Sequence, residues 1–72
     1  MDAIDQIRVR IIKVLGTAED ACEQAVEAQL PDISPATRLR EIRSLGALLD
    51  EAKSHSDKAE AAMLKYIRLP SE

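Results

Sequence analysis

The side chains able to do chemistry are few and badly spaced for it. Cys22 and His55 are the chain's only thiol and only imidazole, whereas a structural zinc site takes four such ligands. If the chain folds back on itself, His55 lies beside about position 10. That is roughly 18 Å from the level of Cys22 at 1.5 Å per helical residue, so the two cannot share an ion. Cys22 has Glu19 and Glu23 as neighbours, which offer a nucleophilic thiol no activation. It reads as a small apolar filler near a helical seam. In "SHS", Ser54 and Ser56 diverge from His55 by about 100° per residue, so no hydroxyl–imidazole dyad forms and a solvated surface histidine is expected.

Other chemistries fail on similar grounds. The carboxylate pairs Glu19-Asp20 and Asp50-Glu51 have no evident pocket to desolvate them and read as solvated helix faces. Gly16 and Gly46 are the only glycines, too far apart for a phosphate-binding loop. In "RLREIR" (Arg38 to Arg43) three arginines spread around a helix with no aromatic for base stacking. They are expected to pair with acids inside the chain. No catalytic residue, metal or cofactor is expected, and neither an enzyme nor a nucleic-acid-binding protein is indicated.

The elements that position these residues are punctuated by proline. "QLPDISPATR" holds Pro31 and Pro35; Pro31 cannot continue a helix, and Ser34-Pro35 reads as an N-cap with proline at the first helical position. Before it, Ile4, Ile7, Ile11, Val14, Ala18, Ala21, Ala25 and Ala28 recur in steps of three and four. After it, Ile42, Leu45, Leu49, Ala52, Ser56, Ala59, Met63 and Tyr66 repeat the rhythm. Each set is the stripe of an amphipathic helix lying along a partner. The fold class is therefore all-α, an antiparallel helical hairpin of two long helices in a single domain. Its first arm spans about 2–30, its turn 31–34 and its second arm about 35–68. Gly16-Thr17, followed by Asp20, also has the form of a helix end and a new N-cap. The first arm either kinks or breaks there, giving two long helices or three.

Folding at the turn sets a register in which large opposes small. Ala18 to Ala28 face Leu39, Ile42, Leu45 and Leu49, while Ile4 to Val14 face Ala52, Ser56 and Ala59. Charge follows the same register. Glu19, Asp20, Glu23 and Glu27 come near Arg38, Arg40 and Arg43, and Arg8, Arg10 and Lys13 come near Glu51, Asp57 and Glu60. With no Phe, no Trp and one Tyr in 72 residues, the core is aliphatic and small, and its stability marginal without a partner. A net charge of −3 gives no general attraction to nucleic acid or an anionic membrane. The opening "MDAIDQIRVRII" has acids where a secretion signal needs bases, and no run reaches membrane-span length. A cytoplasmic location is expected.

The stripes do not use all the apolar residues. Val9 and Ile12 project away from the first stripe, with Leu15 between. In the second arm Leu48 and Ile67 flank the stripe, and Leu39, Leu64 and Leu69 stand further round it. A helix apolar on a second side normally meets a second partner. Val9, Ile12, Leu48, Leu64 and Ile67 are the candidate partner interface, with Tyr66 anchoring the open end beside them. That partner is another helical protein or a second copy of the chain, which would make a four-helix bundle.

The stretch "LLDEAKSHSDKAEAAMLKYI" (Leu48 to Ile67) has leucines, a polar and alanine-rich middle, and a Met/Leu/Tyr/Ile end. With the chain length and the hairpin, it resembles the second helix of the small co-chaperones of type III secretion needle subunits. That resemblance covers most of the chain in length and pattern. It implies a hairpin that docks on a helical-repeat chaperone and helps hold a needle subunit unpolymerised. The function expected is a chaperone-like or adaptor interaction module, with a self-associating four-helix-bundle structural protein as the first alternative and a small nucleic-acid-binding regulator as the second.

Overall fold

Two α-helices account for almost all of the backbone in the computed structural model, which describes residues 2–68. Helix α1 runs Ala3–Ala28 and helix α2 runs Pro35–Arg68. They pack antiparallel as a rod of 61 × 15 × 14 Å, as the short proline-bounded connection requires. Leu69, among the apolar residues noted above, lies outside the described residues.

The ends of the helices are made by local capping contacts, of which the sequence marks Ser34-Pro35. The Asp2 carboxylate accepts the Asp5 N–H at 2.8 Å, capping α1, and Asp5 adds a negative charge to the first turn. Ser34 Oγ accepts the Thr37 N–H at 3.1 Å ahead of Pro35, the first residue of α2. The last turn of α1 carries no basic residue of its own. Arg38 supplies one from across the turn, its guanidinium donating to the carbonyls of Ala28 and Leu30, both at 2.9 Å. Those carbonyls have no onward helical partner, so one side chain satisfies both and places a cation at the negative end of the helix dipole. Arg38 thus serves backbone carbonyls rather than the acidic side chains of α1.

α1 runs unbroken through Gly16 and Thr17. Gly16 has no positive φ, and a methyl group added to it would meet nothing within 4 Å. Thr17 does not act as a cap. Its hydroxyl donates back to the Lys13 carbonyl at 2.9 Å, as threonine does inside a helix.

Polar contacts cross the seam and set its register. The Thr17 hydroxyl shares its single proton between the Lys13 carbonyl and the Glu51 carboxylate, 3.2 Å away, and Gln24 donates to Glu41. Both fall within about three residues of the register read from the turn. The ion pairs formed among the described residues, Arg8–Asp5 at 3.8 Å and Lys53–Asp57 at 3.0 Å, lie within single helices rather than between them. Exposed charges at the edges of a hairpin gain little from closing across it, about 0.2–1 kcal/mol each.

The seam itself is rotated from the one the apolar pattern suggests. Along α1 the buried and half-buried positions are Ile7, Arg10, Val14, Thr17, Ala21, Gln24 and Ala28, with the small Ala18 and Ala25 half-buried beside them. Along α2 they include Arg38, Glu41, Leu45, Leu48, Ala52, His55, Ala59 and Ala62. The columns through Ile7 and Leu45 are shared with the expected stripes. The second column on each helix lies on the other side of the shared one, so Ile11, Ile42 and Leu49 stay 55%, 50% and 53% exposed. Small residues at the centre (Ala21, Ala28 and Ala59, all buried) let the backbones approach; in the second column Gln24 pairs with Glu41, and Thr17 reaches Glu51 on the adjoining polar edge. No large side chain is fully buried among the described residues.

Candidate interaction surface

Because the seam is off-centre, the two long edges of the hairpin differ. One edge follows from Gln6 and Lys65, which line a groove together with Ala3, Ile7, Ala62 and Tyr66. Continuing at heptad intervals, that edge carries Lys13, Asp20 and Glu27 on α1 and Lys58 and Glu51 on α2. It is polar throughout. The opposite edge carries Ile4, Ile11, Ala18 and Ala25 from α1. From α2 it carries Ile42, Leu49, Ser56 and Met63. Antiparallel pairing places equivalent edge columns on the same side of the pair, so these columns form one continuous apolar face. Leu15 and Leu39, 60% and 49% exposed, border it.

The residues expected to form the partner interface divide between surfaces. Ile12 and Leu64 are exposed on the outer sides of the rod, away from the seam, and so is Val9. Ile67 is exposed near the end of α2, and Tyr66 lies at the open end beside Ile7. Leu48 is half-buried in the seam, beside a groove lined by Asp20, Glu23, Gln24 and Glu27. These six do not make one surface. The continuous apolar face is built instead from Ile4, Ile11, Ile42, Leu49 and Met63, residues the sequence pattern assigns to the intramolecular seam. The signal that marks them is the width of the stripe. Three apolar columns are more than two helices consume when they meet only each other.

Two single residues also sit elsewhere than expected. His55 is half-buried in the seam column of α2, with Nδ1 shielded from solvent and without a hydrogen-bond partner. It is not a solvated surface histidine, because the rotation that exposes Leu49 turns His55 inward. The same rotation leaves Cys22 exposed rather than filling the seam beside Ala21. Arg40 and Arg43 line an open groove with Leu39 and Ala47. Among the described residues no group of three or more His, Cys, Asp or Glu side chains is placed to hold a metal ion. No helix there is long and apolar enough to cross a membrane.

The arrangement offers shape and apolar area rather than reactive groups. No protein-family model, curated protein or solved structure matches the chain.

Proposed function

We propose that the chain is a helical protein–protein interaction module, a chaperone-like or adaptor subunit that docks helices on the apolar face of its hairpin. The supporting observation is that face. Ile11, Ile42 and Leu49 lie about half exposed on one side of a rod whose other edge is uniformly polar. Apolar side chains gathered on one side of a small protein mark a contact surface, and an amphipathic helix can lay its own apolar stripe along two such rows. A cytoplasmic setting belongs to this reading. A co-chaperone of a secretion needle subunit is its narrower form and rests on the sequence resemblance alone.

The test is recovery of a partner from source cells on the tagged chain, compared with Ile11→Glu. Recovery of a specific helical protein by the native chain and its loss from the variant, with helicity unchanged by circular dichroism, supports the module. Recovery of the same proteins by both would remove the face from the binding function. A needle subunit among the recovered proteins would establish the narrower form.

A further inference from the structure

We infer that the apolar face is covered by a second copy of this chain, so that two hairpins stack as a four-helix bundle. This rests on the interaction-module reading and names its partner. Three observations converge on it. The first is angular. At about 100° per residue, the apolar stripe of each helix is centred about 50° from the centre of the hairpin seam. Both helices are turned toward the same side. In a square bundle the central axis lies about 45° from the direction of either neighbour, and core-facing helices carry apolar seam columns plus one edge column. Each helix of this hairpin is thus already rotated toward an axis outside the hairpin.

The second observation is area. The chain exposes 5631 Å², whereas a compact monomer of 7.9 kDa would expose about 4,400 Å². The excess, about 1,200 Å², is spread over the whole elongated rod; stacking two rods side by side would remove surface on the scale of the roughly 800 Å² per partner that a standard stable interface buries.

The third is self-complementarity. The edge columns read Ile4, Ile11, Ala18, Ala25 and Ile42, Leu49, Ser56, Met63. A two-fold axis along the rod sets Ala25 on the partner's Ile42, Ala18 on its Leu49 and Ile11 on its Ser56. A two-fold axis across the rod sets Ile4 on the partner's Ala25, Ile11 on its Ala18 and Leu49 on its Ser56. In either arrangement three of the four pairings set a large residue on a small one, the exception being Ile4 on Met63 in the first and Ile42 on Met63 in the second, so most of the interface interdigitates.

Sedimentation equilibrium of the purified chain tests the proposal. The expected mass is twice 7.9 kDa. Ile11→Glu and Leu49→Glu, each charging the centre of the face, should weaken association about thirtyfold or more. Ile12→Glu, on the outer side, should leave it unchanged, and circular dichroism of every variant reports whether the helices persist. If either face variant unfolds, the milder Ile11→Ala/Leu49→Ala pair takes its place with the same expectation. A native chain that stays monomeric at all concentrations overturns the proposal, as does association lost through Ile12→Glu but not through the face variants. A monomer that still captures a different helical protein through the face would overturn the self-pairing alone. A dimer that captures nothing would uphold the self-pairing while refuting the adaptor role.

Discussion

Replacing Gly16 with alanine measures directly whether α1 is one helix. Gly16 sits in mid-helix on the exposed side with negative φ, and the added methyl group would touch nothing within 4 Å. No packing term enters, so the effect reduces to the intrinsic helix preference of alanine over glycine. That is about 0.8–1.0 kcal/mol in favour of the variant. In a domain of this size it should raise the thermal midpoint by about 4–8 °C. The measurement is a thermal melt followed by circular dichroism, at matched chain concentration because association would itself shift the midpoint. A helix that ended at Gly16 would hold it in the left-handed conformation that favours glycine. Alanine there would lower the midpoint, since a strained substitution costs more than the entropy it saves. A lower midpoint would refute the continuous helix and restore the broken one.

Four further substitutions test the seam and the turn. Arg38→Met keeps the aliphatic stem but removes the donors to the Ala28 and Leu30 carbonyls; it should cost about 1–3 kcal/mol in urea unfolding, and an unchanged midpoint would show that water serves those carbonyls equally well. His55→Leu removes a shielded, unpartnered Nδ1 and should stabilise the hairpin by about 1–3 kcal/mol; destabilisation would mean that the imidazole has a partner in solution. Ala21→Leu should overpack the centre of the seam, where Ala21 is only 5% exposed, at a cost of about 1–3 kcal/mol. Glu23→Leu, on an exposed side of the same helix, should be nearly neutral, and equal tolerance of the two changes would displace Ala21 from the core.

The helices and their order are legible because local signals fix them. Asp2 and Ser34 cap, Pro31 stops and Pro35 starts, and each acts within a few residues along the chain. The Gly16-Thr17 signal is local as well, yet it does not produce a break. A cap contributes about 1 kcal/mol, while a continuous α1 keeps Ala21 and Ala28 buried in one line with Ile7. The Thr17 hydroxyl finds its partners beside that line, on the Lys13 carbonyl and on Glu51, so a residue suited to starting a helix is used to hold two together. Arg38 was legible as a charge but not as a cap, because its targets are carbonyls ten and eight residues back, which no side-chain pattern displays.

What hydrophobic spacing cannot specify is the direction in which each helix turns its stripe. The column of Ile7, Val14, Ala21 and Ala28 belongs equally to a seam completed by Ile4, Ile11, Ala18 and Ala25 and to one completed by Arg10, Thr17 and Gln24. Greatest apolar burial within the hairpin favours the first. Pairing of Thr17 with Glu51 and of Gln24 with Glu41 goes with the second, and those contacts require side chains from both arms at once. The second solution leaves Ile11, Ile42 and Leu49 half exposed, a poor outcome for a hairpin alone, since each forgoes about half of the roughly 1.5–3 kcal/mol that full burial of an aliphatic gives. It becomes favourable when another pair of helices covers them. The polar column, unremarkable in a list of residues, is therefore what separates a self-sufficient hairpin from half of a larger bundle. Replacing Gln24 and Glu41 together with leucine would remove that distinction, and the hairpin should then turn its stripes inward and lose its tendency to associate.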